Sequence, residues 1–191
     1  MERRMRPGVF LDRDGTVNEE IGYLYDVEKL SLISGAAKAI RRLNVSGWPV
    51  VCVSNQSGVA RGFFTIDSVY EVNQKLKELL ALNGAYFDGI YFCPHHPTEG
   101  QFPYRMNCDC RKPRAGMLKK AADELKIDLK RSFLIGDRLS DIQTAQNAGL
   151  KSILVLTGYG RTELENNKDK IALQPDYICK DISAAVDWIL K

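Results

Sequence analysis

Apolar residues gather in short, nearly continuous runs at Val9–Leu11, Val50–Val53, Gly89–Phe92, Ser132–Ile135 and Ser152–Leu156, with a shorter one at Asp176–Cys179. Runs of this length without polar alternation belong to strands covered on both faces. Between them the spacing turns helical. Ala39, Ile40 and Leu43 follow Ser34 as an N-cap, and Val69, Val72, Leu76 and Leu79 follow Thr65, with Gly84 ending the stripe. Further helices are expected at about Gly116–Leu125, Leu139–Ala148 and Ile182–Leu190, the last capped by Asp181. Strands alternating with helices predict an α/β three-layer sandwich with a central parallel sheet. Two stretches stay irregular, Asn18–Ile33 and Cys93–Pro113. Neither is long enough for a large cap domain, so one domain over residues 1–191 is expected.

Composition narrows the partners. The chain has 191 residues, 45% of them apolar, enough for one substantial core. Its net charge is only +3 and both signs are dispersed, so no basic stripe points to nucleic acid. The cluster Arg3, Arg4 and Arg6 and the Lys168–Lys170 neighbourhood read as a loose terminus and a solvated surface. No apolar run approaches the ~20 residues that span a bilayer, and the N-terminus lacks the apolar segment of a signal peptide. A cytoplasmic monomer acting on a small molecule, with no membrane partner, is the expectation.

The ends of the strands carry the chemistry. Asp12 and Asp14 follow the first, Ser54-Asn55-Gln56-Ser57-Gly58 the second, and Gly136-Asp137 with Asp141 the fourth, while Lys112 lies just ahead of the third main helix. In a parallel sheet these ends share one edge, where ligands bind. Hard oxygen donors without histidine suit Mg²⁺, which also binds phosphate oxygens. Lys112 and the N–H groups of the Ser54–Asn55 turn suit the same phosphate. A carboxylate can attack phosphorus and form an aspartyl phosphate, so Asp12 at the strand tip is the expected nucleophile. Asp14, two places on and on the same side by strand period, is the expected general acid and base. Asp12, the main-chain carbonyl of Asp14, and Asp137 are the expected Mg²⁺ ligands, with Asp141 orienting the metal's waters.

A second constellation lies in the longer irregular stretch. Five cysteines make an odd number, and Cys93, Cys108 and Cys110 lie close to both histidines, His95 and His96. Three thiolates and one imidazole form a closed tetrahedral zinc set, which is structural because no position is left open. The Cys-x-His spacing on the first arm parallels Cys-x-Cys on the second and favours His95 over His96. Zinc would brace a loop at about residues 93–110 and fix the approach of Arg111 and Lys112 to the phosphate. Cys52 and Cys179 read as small buried apolar residues, and Trp48 and Trp188 as packing residues.

Taken in order, Asp-Arg-Asp-Gly-Thr at Asp12–Thr16, Ser54, Lys112 and Gly-Asp-x-x-x-Asp at Gly136–Asp141 resemble the four motifs of the haloacid dehalogenase (HAD) superfamily of phosphatases. The likeness covers nearly the whole chain and implies a Rossmann-like, HAD-like fold. With its zinc loop the sequence further resembles the branch of heptose bisphosphate and histidinol-phosphate phosphatases. Ser54–Gly62 and Cys108–Pro113 bring it nearer the heptose enzymes. That resemblance implies removal of the C7 phosphate from a heptose 1,7-bisphosphate, on the route to nucleotide-activated heptose for lipopolysaccharide. It also implies a substrate site lined by Glu20, Ile21, Gly22, Tyr23, Ser54, Asn55, Gln56, Ser57, Arg111, Lys112 and Arg138. Three positions depart from the family's habit: Ser54 where threonine is usual, Arg138 where lysine is usual, and Ala115 in place of a common proline.

Other chemistries fit less well. Cys108 to Arg114 matches the Cys-x₅-Arg spacing of cysteine phosphatases, but Pro113 removes a backbone N–H from the phosphate cradle and the run has no glycine. Histidinol phosphate remains an alternative substrate. A non-catalytic domain that binds phosphorylated ligands remains an alternative class, disfavoured because Asp12 and Asp14 are both present.

Overall fold

The computed structural model describes residues 5–166 and 173–191. Arg3, Arg4 and Lys168–Lys170 lie outside the described residues. Six strands, β1 (Val9–Leu11), β2 (Val50–Asn55), β3 (Gly89–Cys93), β4 (Phe133–Gly136), β5 (Lys151–Val155) and β6 (Tyr177–Cys179), form one sheet in the order β3-β2-β1-β4-β5-β6. Every neighbouring pair is parallel, with Val9 of β1 opposite Val50 on one side and Phe133 on the other. The chain runs outward from β1 to β3, then crosses back to place β4 on the far side of β1. That reversal opens a crevice beyond the carboxyl ends of β1 and β4.

The helices are α1 (Ala36–Val45), α2 (Ile66–Ala81), α3 (Gly116–Leu125), α4 (Leu139–Ala148), α5 (Gly160–Asn166) and α6 (Ile182–Ile189). Alternate strand residues face opposite layers. Val9, Leu11, Ile135 and Ile153 pack with α1, α2 and α6, while Phe10, Val51, Val53 and Leu134 pack with α3 and α4. Both faces are therefore dry, which is why the strands read as unbroken apolar runs. Cys52 and Cys179 are buried, and Trp188 stacks on Tyr177 at 4.8 Å between ring centroids.

Three local expectations change. The N-cap of α1 is Gly35, at φ 82°, and not Ser34, because the chain enters the helix through a left-handed turn that glycine adopts without strain. On α2, capped by Thr65 as expected, Leu80 and not Leu79 is fully buried, since the apolar stripe drifts around the helix over four turns. Helix α5 is an addition; its sequence Gly-Arg-Thr-Glu-Leu-Glu-Asn has no apolar period to reveal it. The stretch Asn18–Ile33 folds back on itself through Glu19 N–H to Ser31 O at 2.9 Å and buries Leu24, Leu30 and Ile33, so it is a packed loop. Among the described residues no helix is long and apolar enough to cross a membrane.

Candidate active site

Asp12 leaves the tip of β1, where its N–H still donates to Ile135 O of β4 at 2.9 Å, the last ladder bond between the two central strands. Asp137 and Asp141 arrive from the end of β4 and the first turn of α4. One oxygen from each of Asp12, Asp137 and Asp141 lies within 4.8 Å of the other two, and all three residues are buried. Lys112 enters from the far side: its Nζ is 2.8 Å from Asp12 Oδ1, 2.6 Å from Asp141 Oδ1 and 3.1 Å from Val53 O. Its backbone is locked to β2 by two bonds with the Asn55 side chain, at 3.0 and 3.1 Å.

The electrostatics follow from three buried carboxylates facing one ammonium. Burial and the charges of Asp141 and Asp137 push Asp12 well above the usual carboxylate range, with Lys112 opposing them. Burial and Asp141 likewise push Asp137 up to about 7. Lys112 stays charged because Asp12 and Asp141 outweigh the cost of its burial. Asp137 Oδ2 accepts from Tyr159 N–H at 2.8 Å, whereas its buried Oδ1 has no protein partner. An unpaired anionic oxygen at this depth is costly without a cation. The three-carboxylate cluster suits a small hard divalent ion. Asp141 has other obligations, because its second oxygen caps α4 by accepting Arg138 N–H at 3.1 Å.

Asp14 stands apart from that cluster. Strand β1 ends at Leu11, so the strand period does not reach Asp14; a turn places it instead, with the N–H groups of Val17 and Asn18 both directed at Arg13 O. Its carboxylate receives Arg13 Nε at 3.2 Å, Arg13 Nη2 at 3.0 Å, Asn18 Nδ2 at 2.9 Å and Gln56 Nε2 at 2.9 Å. Burial alone would raise its pKa, but the Arg13 guanidinium and these donors outweigh it and hold Asp14 below the usual range. Arg13 is fully buried and braced from α2 by Asn73 Oδ1 at 3.1 Å. Gly15, at φ 77°, turns the chain so closely past Asp137 that an added Cβ would sit 2.2 Å from Asp137 Oδ2.

A cavity of about 370 Å³ opens over these groups. Of the expected substrate residues, Glu20, Gly22, Tyr23, Asn55, Gln56, Ser57, Arg111, Lys112 and Arg138 line it together with Asp12 and Asp14. Ile21 does not: Glu20 Oε1 accepts Gly22 N–H at 2.6 Å, and the side chain between them is left 47% exposed outside the wall. Ser54 does not line it either, being buried within β2 with its hydroxyl 3.2 Å from Gln56 Nε2. Ser140 and Tyr159 line the cavity without having been singled out, and Gly58, named at the end of the second strand but not among the substrate residues, lines it too. For Tyr159 the available signal was its place just after β5, at the same sheet edge as the motif residues.

The second constellation also closes. Cys93, His95, Cys108 and Cys110 offer ligand atoms within 4.8 Å of one another. Neighbouring pairs lie at 3.1 Å (Cys108–Cys110), 3.4 Å (Cys93–Cys108 and Cys110–His95) and 3.7 Å (Cys93–His95). A tetrahedral zinc with Zn–S bonds of ~2.3 Å has ligand edges of about 3.7 Å, so the group matches that ion with small adjustments. His96 turns away and contacts Arg61 Nη2 through Nε2 at 3.1 Å. Arg111 Nη1 donates to His95 O at 3.2 Å, joining this cluster to the cavity wall. The Cys108 sulfur sits among the other thiols and not in the cavity, which removes the geometry a cysteine phosphatase requires.

Comparison with known proteins places these features in company. A HAD-hydrolase-like family model matches residues 109–185. The chain is 48% identical over 188 residues to a D-glycero-D-manno-heptose-1,7-bisphosphate 7-phosphatase of Thermosynechococcus vestitus, covering 96% of this chain and 95% of that one. It is 44% identical over 166 residues to the D-glycero-beta-D-manno-heptose-1,7-bisphosphate 7-phosphatase of Escherichia coli K12, covering 85% and 86%. A crystal structure of D,D-heptose 1,7-bisphosphate phosphatase from B. bronchiseptica, complexed with magnesium and phosphate, is similar with TM-score 0.84 and 34% identity over 96% of this chain and 98% of that one.

Proposed function

The chain belongs to the HAD-like D-glycero-D-manno-heptose-1,7-bisphosphate 7-phosphatases, and from that premise we propose that it removes the C7 phosphate of heptose 1,7-bisphosphate through a phosphorylated Asp12. The observation that carries the reading is the meeting of Asp12, Lys112 and Asp137, distant in sequence, in one buried cluster at the carboxyl edge of the sheet. A single catalytic domain with a zinc-braced loop at about 93–110, in a cytoplasmic monomer, remains part of the proposal.

The chemistry runs in two displacements. An Asp12 oxygen attacks phosphorus as the bond from phosphorus to the C7 oxygen breaks, and Asp14 delivers the proton that the leaving oxygen needs. In the free site its donors keep Asp14 ionised; an arriving phosphate dianion raises its proton affinity and equips it as the acid. Asp14 then takes a proton from water, whose oxygen attacks phosphorus and releases Asp12. Lys112 offsets charge on the transferring group and holds Asp12 in line, while the Ser57 and Gln56 side of the cavity cradles phosphate oxygens. The carboxylates of Asp12 and Asp137 and the Asp14 carbonyl would hold Mg²⁺, which when bound supplies positive charge against the repulsion between carboxylates and phosphate.

The direct test is kcat/KM on both anomers of heptose 1,7-bisphosphate and on histidinol phosphate, with and without Mg²⁺. A heptose preference of at least about 100-fold is expected from the differential contacts such a site makes, with turnover of every substrate lost on Mg²⁺ removal and restored on its return. Preference for histidinol phosphate would overturn the substrate assignment.

The Arg13–Asp14 pair makes a further prediction. Arg13→Met leaves the buried Asn73 Oδ1 without its partner and the half-buried Asp14 with only its Asn18 and Gln56 donors, and removing the buried member of such a pair costs about 3 kcal/mol. Urea denaturation should show that loss together with a kcat lowered about 100-fold or more, because Asp14 is no longer held in place. A variant as stable and active as the parent would remove Arg13 from the account.

A further inference from the structure

Just after β5 the chain makes a turn, Thr157-Gly158-Tyr159-Gly160, that is pinned from several directions. Thr157 Oγ1 donates to Gly15 O at 2.6 Å, Gly160 N–H to Thr157 O at 2.8 Å, and Tyr159 N–H to Asp137 Oδ2 at 2.8 Å. Both glycines are sterically required: a Cβ at Gly158 would lie 2.2 Å from Asp137 Oδ2, and one at Gly160 would lie 1.8 Å from Val155 O. The turn therefore holds Tyr159 in one place, although its side chain is 38% exposed. What it presents is a ring. The Arg138 guanidinium carbon sits 3.9 Å from the ring centroid, and Arg138 Nη2 is 3.6 Å from Glu20 Oε2. All three residues line the same cavity as Asp12 and Lys112.

We propose that Tyr159 is a positioning residue for Arg138: its ring fixes the guanidinium over the cavity to receive a second anionic group, remote from the phosphate that reacts. This rests on the sugar bisphosphate reading and deepens it. A guanidinium stacked on an aromatic face keeps its N–H edge free for a planar, bidentate grip on a phosphate; an ammonium in the same place must choose between ring and anion. The pairing gives a physical use to arginine at position 138, where the family resemblance implies lysine. Glu20 supplies the second contact, holding one end of the guanidinium without covering it, so the free edge is aimed before substrate arrives. Preorganisation of that kind acts on binding of the remote group and not on the bond that breaks.

The test compares Tyr159→Leu, which keeps apolar bulk and removes the π face, with Tyr159→Phe, which keeps the face. Each is assayed on heptose 1,7-bisphosphate and on p-nitrophenyl phosphate, which has no second anionic group. For Tyr159→Leu the ratio of kcat/KM between the two substrates is expected to fall about 2- to 30-fold, carried by KM for the bisphosphate, whereas Tyr159→Phe keeps the parent ratio. Arg138→Lys should lower the ratio in the same direction, and adding Tyr159→Leu to it should lower it little further. Equal losses on both substrates would show that the turn merely supports Asp137, and an unchanged ratio would show that the ring does nothing; either overturns the role of Tyr159. A parent protein with no preference for the bisphosphate overturns the underlying substrate reading instead.

Discussion

Asp12→Asn should abolish turnover, lowering kcat by about 10⁴-fold or more, while the protein remains folded. The size follows from the chemistry: an amide oxygen is a far poorer nucleophile than a carboxylate, and without covalent attack the route through two easier displacements is closed. The structure also explains why folding should survive. Asp12 shares its crevice with Asp137 and Asp141, and burial and both neighbouring charges already push its pKa up. Removing one negative charge relieves repulsion, and Lys112 keeps its 2.6 Å contact with Asp141. A thermal midpoint equal to or above that of the parent, with activity gone, is the expected pairing. Acid quenching of the parent during turnover should trap one phosphoryl group on the peptide containing Asp12, and the variant should trap none. Residual turnover within 100-fold of the parent, or a phosphorylated peptide that lacks Asp12, would move the nucleophile elsewhere.

What sequence could reveal tracks how local each physical constraint is. Strands β1, β2 and β4 were legible because a parallel sheet dry on both faces demands unbroken apolar residues, and their polar terminators Asp12, Asn55 and Asp137 mark the edge where ligands bind. The strand alternation, by contrast, gave the wrong reason for Asp14, whose position depends on the turn after Leu11. Arg13 escaped notice because nothing nearby announces its burial: its brace, Asn73, is 60 positions away on α2. Helix α5 was invisible for a related reason, since a polar helix entered through a glycine-flanked turn carries no apolar period, and Tyr159 left only its place after β5 as a signal. Ser54 and Ile21 show the converse, where motif position named residues that burial and turn geometry keep out of the cavity wall. Motifs fix which groups converge; tertiary contacts decide which of them face the ligand.

If the proposed zinc sits at Cys93, His95, Cys108 and Cys110, Cys110→Ala should cost the protein that ion, its ordered loop and much of its activity, in that order of cause. The loop around residues 93–110 has little apolar burial of its own: Phe102 is 92% exposed and Met106 is 44% exposed. Structural zinc contributes about 10–16 kcal/mol in small zinc-dependent folds, so a loop this poor in apolar packing depends on it. The Cys108–Cys110 arm runs directly into Arg111 and Lys112, and Arg111 is tied back to His95 O at 3.2 Å. Losing the ion would free Arg111 and loosen the approach to Lys112, which keeps its own anchors on Asn55, Asp12 and Asp141. Displacement of a positioned group by about 1 Å can cost 100-fold in rate, and a loss of that order in kcat/KM is expected. The rest of the fold should persist, because the loop meets the α3 and α4 layer only through Cys93, Cys108 and Cys110 and contributes nothing to the α1, α2 and α6 layer. Elemental analysis should therefore find one zinc per chain in the parent and none in the variant. Amide hydrogen exchange should rise across residues 93–112 while β1, β4 and α6 stay protected. Adding Mg²⁺ in excess should not restore the loss, which separates this ion from the one proposed at Asp12 and Asp137. A folded parent without stoichiometric zinc, or a Cys110→Ala protein with unchanged exchange in that segment, would leave the four ligating side chains as reduced thiols and an imidazole packed together, with no metal to explain their convergence.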